Sequence, residues 1–525
     1  MAKVLIADEL SPSAREVLEE RGIEVAVKSG IGPDKLRTEI GAYDGLVVRS
    51  ATRVTADLLA DAGKLKVVGR AGIGVDNIDV EAATARGIVV MNTPYGNAVT
   101  TAEHALALIF ALARQIPVAD RSIQAGKWEK TRFLGVELTG KTLGIVGCGN
   151  IGSILADRAL GLKMKVVAYD PYLSSERATA LGVEKVSFDE LLARADFITL
   201  HAPLTDATRN MIDARAIAKT KPGVRIINCA RGELVVEEDL KAALESGHVA
   251  GAALDVFREE PVRDNVLFGL DNVVATPHLG AATAEAQDTV AKQVAEQMAD
   301  FLLTGAIVNA VNMPSVSAEE TPILRPYMKL AEQLGGFAGQ ITETGLRAVS
   351  VEYAGQVAEL NTRPLTSLAL KGLLTPLLDS VNMVNAPFIA REREIDVIEI
   401  KRERARDYQS LITLTVTTER RSRSVAGTLF GGDKPRIVEV EGTSIEAELG
   451  PHMLYIRNQD KPGLIGNLGR ALGDASINIA TFHLGRAEPG GQAIALIAVD
   501  QPVSAEILAQ VRALPLVLQA KTLTF

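Results

Sequence analysis

The run Gly147-Cys148-Gly149-Asn150-Ile151-Gly152 follows a strand-like stretch, Thr142–Val146, and opens a helical one; a second strand-like stretch, Lys165–Tyr169, ends at Asp170, 18 residues after Gly152. Glycines at this spacing suit one task. The first permits a tight turn, the second lets backbone N–H groups approach a pyrophosphate, and the third lets the following helix pack close to the sheet. The helix N-terminus then offers free N–H groups and partial positive charge to the phosphates. A carboxylate at Asp170 can accept both hydroxyls of a ribose and repels a 2′-phosphate. The pattern therefore predicts a dinucleotide site that favours NAD over NADP.

A second constellation follows the fingerprint. Arg231 comes after the strand end Ile226-Ile227-Asn228-Cys229-Ala230, Glu260 lies in Asp255-Val256-Phe257-Arg258-Glu259-Glu260-Pro261, and His278 lies in Ala275-Thr276-Pro277-His278-Leu279-Gly280. All three follow C-terminal ends of parallel strands, the edge where open α/β sheets bind ligands. Interconverting a hydroxyl and a keto group needs a hydride carrier and a proton-transfer group titrating near the working pH; histidine suits the latter, with a nearby carboxylate to stabilise its protonated form. A guanidinium can grip a carboxylate in a bidentate manner and polarise the adjacent carbonyl. Alone, each residue reads equally as a surface arginine, a capping glutamate or a loop histidine. Their joint placement beside a dinucleotide site is what points to catalysis.

The elements that must position them are α/β. A chain of 525 residues exceeds what one core usually organises, so about three or four domains are expected. Strand candidates are Val4–Ala7, Gly45–Val48, Lys66–Gly69, Ile88–Met91, Leu143–Val146, Val166–Tyr169, Phe197–Leu200, Arg225–Asn228, Ala250–Leu254 and Asn272–Ala275, alternating with helical stretches as in parallel sheets. Because βα structure precedes the fingerprint, two Rossmann-like parallel-sheet lobes are expected: residues 1–96 with 285–312, and residues 97–284. Two long helical stretches, Asn97–Gln124 and Thr283–Leu303, would cross between them, leaving a crevice between lobes.

After Met313-Pro314 the pattern changes. Residues 313–450 read as an α+β unit: a helix-rich connector Ser315–Gly345, a helix Leu365–Asn385, and strands Ile395–Ile400, Ser410–Val416 and Val425–Phe430. Residues 451–525 read strand, helix, strand, strand, helix, strand, with helices Gly463–Ala475 and Ser504–Leu514, a ferredoxin-like βαββαβ unit. The net charge of −9 argues against nucleic acid or an anionic membrane surface as the main partner. No run approaches the ~18–20 apolar residues of a membrane helix. The two cysteines, Cys148 and Cys229, lack metal-ligand spacing, so no metal is expected, and a reducing cytoplasm fits.

On these segments, together with Val48-Arg49-Ser50-Ala51-Thr52 and Gly69-Arg70-Ala71-Gly72-Ile73-Gly74-Val75-Asp76-Asn77, the chain resembles the D-isomer-specific 2-hydroxyacid dehydrogenases, and within them the long-form D-3-phosphoglycerate dehydrogenases, over nearly its whole length. The resemblance implies NAD-dependent oxidation of 3-phospho-D-glycerate to 3-phosphooxypyruvate at the start of L-serine synthesis. It assigns Arg231 to the substrate carboxylate and carbonyl, His278 to proton transfer and Glu260 to supporting His278. It places Ile73, Gly147, Gly149, Asn150, Ile151, Gly152, Asp170, Ala202, Cys229, Ala230, Asp255, Leu279, Gly280 and Ala281 around the cofactor, and Arg49, Ser50, Arg70, Gly72, Ile73 and Gly74 around the substrate. Two positions depart from the family: Cys148-Gly149-Asn150 replaces a common Leu-Gly-Arg or Leu-Gly-Lys, and Ile73 a frequent threonine.

Further residues carry weaker signals. Arg49, Arg53 and Arg70 lie near strand ends of the first lobe and suit a phosphate, while Lys130 and Arg132 resemble residues that reach a neighbouring subunit's site, consistent with a homotetramer or homodimer. His104 reads as a structural or interlobe residue; His201 either lines the cofactor cleft or is a satisfied strand-end histidine. The terminal unit resembles an ACT domain, in which Asn458, Asp460 and Asn478 could hold L-serine, or which could serve as a pairing module without ligand. Arg391, Arg393, Lys401, Arg402 and Arg404 suggest an anion site or a solvated strand face. Two other activities share the core: a glyoxylate or hydroxypyruvate reductase, which has less use for about 215 C-terminal residues, and an NAD-sensing corepressor, against which the ACT-like tail counts.

Overall fold

The computed structural model describes every residue except Ala318 and Asp379. Its first sheet is parallel and five-stranded, in the order Glu24–Val27, Lys3–Ile6, Gly45–Val48, Val67–Arg70, Val89–Met91. The central strand Gly45–Val48 is buried throughout, as expected where both faces of a parallel sheet are covered. The helix Ala284–Thr304 supplies one cover. Its Val290, Val294 and Met298 pack with Val4, Ile6, Val47 and Val67. A Cβ on Gly69 would stand 2.2 Å from Met298 Sδ, so only glycine lets that helix settle on the sheet. Asn312 Oδ1 then accepts from Val90 N at 2.9 Å, returning the chain to the first sheet.

The second sheet is parallel and seven-stranded, in the order Val273–Ala275, Val249–Leu254, Val224–Asn228, Phe197–Leu200, Thr142–Val146, Lys165–Tyr169, Glu184–Lys185. All ten strand candidates of these two lobes form; two short edge strands lay outside them, Glu24–Val27, four residues and partly exposed, and Glu184–Lys185, two exposed charged residues. The expected helix Asn97–Gln124 is two helices, Ala98–Arg114 and Ile116–Gln124, bent by 62°. Gln115 at φ 51° turns the chain, and Pro117 removes an N–H that a continuous helix would need. No single helix among the described residues is long and apolar enough to cross a membrane.

The third sheet is six-stranded and mixed, in the order Asp396–Arg402, Leu346–Gly355, Ser410–Thr418, Ser422–Phe430, Lys434–Val440, Thr443–Ala447; only its first pair is parallel. Helices Thr321–Ile341 and Arg363–Leu374 cover one face. The helix expected over Leu365–Asn385 ends at Leu374, because Pro376 cannot donate to the carbonyl of Gly372, and helix resumes at Ala386–Glu392. Of these two expected stretches, Ala318 in the connector and Asp379 in the helix lie outside the described residues. Between the helices, Met383 and Val384 enter the core of the first lobe, and Asn382 Nδ2 donates to Gly87 O at 3.0 Å.

The fourth sheet is antiparallel, in the order Ile479–Arg486, Gln492–Val499, Met453–Gln459, Val517–Leu523, with helices Leu464–Asp474 and Ala505–Arg512: the βαββαβ unit read from sequence. Tyr455 packs edge-on against Phe337 of the preceding unit, ring centroids 5.7 Å apart.

Candidate active site

The fingerprint forms the turn its glycines permit. Gly147 has φ 89°, and a Cβ there would lie 2.7 Å from the His201 carbonyl; a Cβ on Gly152 would lie 2.1 Å from Gly147 O. Around Gly149 there is open space. The turn thus leaves a vacant approach to the N-terminus of the helix Asn150–Gly161, where no side chain caps the N–H groups. Asp170 lies beside this loop: its Oδ2 accepts from Cys148 N at 2.9 Å and its Oδ1 from Tyr172 N at 2.8 Å. Uncapped amides facing open space, with a fixed carboxylate alongside, fit a dinucleotide's pyrophosphate and ribose. The Asn150 amide donates to Pro94 O at 3.1 Å, bracing the loop against the segment between the lobes. Burial, and then Asp170 for Cys148 and Asp255 for Cys229, pushes both thiols up, so both stay protonated.

His278 and Glu260 meet in the structure. His278 Nδ1 lies 2.5 Å from Glu260 Oε2, and Glu260 Oε1 accepts from Phe257 N at 3.0 Å. Burial raises the Glu260 carboxyl, but the bonds from His278 and the Phe257 amide outweigh it and hold the group below its ordinary value. With Nδ1 engaged by a carboxylate, His278 keeps Nε2 free to exchange a proton. His278 has φ 54°, an unfavourable conformation for a side chain with a Cβ. Asp255 stabilises it. Its buried carboxylate accepts from Leu279 N (2.7 Å), Gly280 N (2.8 Å) and Thr276 Oγ1 (2.6 Å), and lies 3.2 Å from His104 Nε2, while its carbonyl accepts from His278 N at 2.9 Å. Burial opposes that charge, but the bonds from His104, Thr276 and Leu279 hold Asp255 below its ordinary value. His104 thus ties the helix Ala98–Arg114 to the loop that carries His278.

Arg231 crosses the crevice. Its Nη2 and Nε lie 2.8 and 3.0 Å from Asp76 Oδ2 of the first lobe, and its Nη1 donates to Ala230 O at 2.6 Å. Room for two guanidinium groups comes from the glycine loop: a Cβ on Gly74 would stand 1.8 Å from Arg231 Nη2, and one on Gly72, at φ 145°, 1.7 Å from Arg70 Nη1. Arg70 is lowered to about 10, first by burial, then by the neighbouring cations Arg231 and Arg49, and its Nε is buried without a partner. Arg49 and the exposed Ser50 sit on a loop tied down by Asp8, whose carboxylate accepts from Arg49 N at 2.6 Å and from Thr52 Oγ1 at 2.5 Å. Asn77 bonds the carbonyls of Arg49 and Thr52, and Asn92 that of Ile73.

Sequence reading found the groups that face the crevice but missed these supports, Asp8 among them. An aspartate immediately after a first strand was the available signal. His201 ends its strand against the fingerprint turn, its carbonyl 2.7 Å from where a Gly147 Cβ would lie; its Nε2 is 2.9 Å from Thr199 Oγ1, its Nδ1 is buried without a partner, and burial lowers it to about 4. Ala202, Ala230 and Ala281 are small, half-buried residues at turns after strands, and Leu279 is exposed beside His278. In the terminal unit Asn458, Asp460 and Asn478 are not joined to one another. Asp460 bonds Arg486 Nη1 (2.8 Å) and Gly490 N (3.1 Å), Asn478 bonds Asp500 (2.7 Å), and buried Asn458 leaves Oδ1 unpartnered. The basic residues after Arg391 do not converge either: Arg402 pairs with Glu352 at 2.8 Å and Arg391 stacks on Phe388.

Comparison with known proteins agrees with this geometry. Residues 106–280 match the family described as D-isomer specific 2-hydroxyacid dehydrogenase, NAD binding domain; residues 323–441 match the D-3-phosphoglycerate dehydrogenase intervening domain, and residues 452–516 the ACT domain. A D-3-phosphoglycerate dehydrogenase of Methanocaldococcus jannaschii is 44% identical over 517 residues, covering 98% of each chain, and one of Bacillus subtilis is 43% identical over 523 residues, covering 99% of each. Among solved structures, the TT0316 protein of Thermus thermophilus (36% identity, TM-score 0.55) covers 59% of this chain and 99% of its own, and a glyoxylate reductase of Paecilomyes thermophila (32%, 0.55) covers 59% and 98%. With relatives this similar over almost its entire length, the chain belongs to the D-isomer-specific 2-hydroxyacid dehydrogenases, in the D-3-phosphoglycerate dehydrogenase branch.

Proposed function

We propose that the chain oxidises 3-phospho-D-glycerate to 3-phosphooxypyruvate, the first step of L-serine synthesis. Arg231 grips the substrate carboxylate through the Nη edge that Asp76 leaves free. His278 Nε2 accepts the C2 hydroxyl proton, and Glu260 stabilises the imidazolium that forms. Gly147 to Gly152 hold the pyrophosphate and Asp170 the ribose; NAD, when bound, accepts the C2 hydride. Arg70 and Arg49 take the phosphate. One observation supports the phosphorylated substrate: Arg70 is buried, its Nε has no partner, and burial with the cations Arg231 and Arg49 outweighs the carboxylates Asp76 and Asp8, an arrangement that a dianion would relieve. NAD reduction measured with 3-phosphoglycerate against glycerate, lactate and 2-hydroxyglutarate tests the reading. Comparable kcat/KM for the unphosphorylated acids would overturn it.

The same reading divides the chain into a substrate lobe (1–96 with 285–312), an NAD lobe (97–284), an intervening unit (313–450) and an ACT unit (451–525) of a cytoplasmic enzyme. The exposed apolar side chains Ile116, Trp128 and Leu134 beside the bent helix pair support self-association through the NAD lobe. Asn458, Asp460 and Asn478 support L-serine as an effector, the unpartnered Asn458 Oδ1 offering an acceptor for its ammonium.

A further inference from the structure

Two of the basic residues that form no anion site, Lys401 and Arg402, lie on the strand Asp396–Arg402, which is the outer strand of the six-stranded sheet. The sheet's opposite edge, Thr443–Ala447, is covered by the ACT unit: a Cβ on Gly485 would stand 2.2 Å from Ser444 O. The Asp396–Arg402 edge is open. It is seven residues long, pairs with Leu346–Gly355 without a bulge and contains no proline. Six of its residues are exposed, including Val397 at 40% and Ile398 at 51%. Long, regular, apolar edges are a liability that proteins ordinarily blunt. Within the strand itself the charges are instead divided, with Asp396 and Glu399 before Ile400 and Lys401 and Arg402 after it; Arg404 follows just past the strand end, beyond Glu403.

We propose that this strand pairs antiparallel with the same strand of a second copy of the chain, about a two-fold axis at Ile400. The axis is selected by charge. Centred on Ile400, Glu399 lies opposite Lys401, Ile400 opposite itself, uncharged Val397 opposite Glu403, and Asp396 opposite Arg404, two residues past the strand end; opposite charges placed directly across a pair of strands are stabilising. Centred one residue earlier, Glu399 would face its own copy. Arg402 keeps its bond to Glu352 and lies opposite Ile398, whose exposed surface its aliphatic stem covers. The resulting interface is isologous and extends the six-stranded sheet across two subunits.

The test uses the full-length protein with NADH present, and sedimentation velocity reads the mass. Asp396→Lys and Arg404→Glu each place like charges opposite one another twice, and each is expected to halve the mass of the largest species. The combined swap D396K/R404E restores opposite pairing and is expected to restore the mass. In a second arm, Ile400→Cys is expected to form a disulfide-linked dimer under mild oxidation, with little background because Cys148 and Cys229 are buried. NADH binding in every variant controls for folding. If another protein or nothing covers this edge, mass is indifferent to both reversals. That result, a double swap that behaves like the single variants, or an Ile400→Cys variant that stays uncrosslinked overturns the proposal.

Discussion

Asp76 Oδ2 sits between Nε and Nη2 of Arg231, 3.0 and 2.8 Å away, and so ties a loop of one lobe to the strand end of the other. The pair leaves the outer edge of the guanidinium facing the crevice. Asp76→Ala frees that group to rotate. Because Asp76 is 61% exposed, the loss is smaller than the ~1.5–3 kcal/mol of a buried charged hydrogen bond, so KM for 3-phosphoglycerate is expected to rise several-fold while kcat changes little. Steady-state kinetics checks the split; a fall in kcat at constant KM would assign Asp76 to another task.

His278→Ala is expected to lower kcat by ~10²–10⁴-fold, the usual worth of a positioned acid–base group, with NADH affinity near that of wild type. Fluorescence titration with NADH separates the two effects.

Glu260 is held below its ordinary value, so it stays charged throughout the pH range in which an imidazole titrates. Glu260→Gln removes the anion that favours the imidazolium, and the acid limb of kcat/KM is expected to move to lower pH while kcat falls. An unmoved limb would separate Glu260 from the proton-transfer step.

Asp170→Ala is expected to raise the ratio of NADP to NAD turnover by about tenfold, equivalent to ~1.4 kcal/mol. Because Asp170 also accepts from the Cys148 amide, KM for NAD should rise in the same variant. A wild type that already prefers NADP would refute the carboxylate's role.

Asp255 links catalysis to stability. Its folded value lies below that of an unfolded carboxyl, so its contribution is complete above the ordinary carboxylate range and disappears as pH falls through the lowered value. Asp255→Asn leaves buried amides facing an –NH2 group and is expected to destabilise the fold by ~1–3 kcal/mol, to flatten the acid limb of the stability–pH curve, and to lower kcat by loosening His278. Denaturant titrations across acid pH read the first two effects.

What was legible in the sequence was whatever depends on periodicity or on residues whose chemistry has few other uses. The interior strands of the two parallel sheets are mostly apolar and buried, and Gly147, Asp170, Arg231, Glu260 and His278 stand at or beyond their ends. The breaks after Arg114 and Leu374 were missed because composition stayed helical through Gln115 and Thr375, and the prolines that end each run carry a local signal that apolar periodicity masks. Asp8, Asp76, Asn77 and the anchoring role of Asp255 were invisible for a different reason. Each acts on a loop 21 to 155 residues away, through backbone groups, hydroxyls or a single guanidinium, and no spacing rule encodes such a distance.

Met383 and Val384 sit in one apolar core with Val4 and Met91, and the next core runs on through Phe337 to Tyr455. The first lobe is therefore sealed in part by residues that lie more than 290 positions further along the chain, and the intervening unit in turn by the terminal one. Cutting the chain after the first two lobes would strip Met383 and Val384 from a core they help to fill, so a shortened enzyme begins with an exposed apolar patch where the full chain has none.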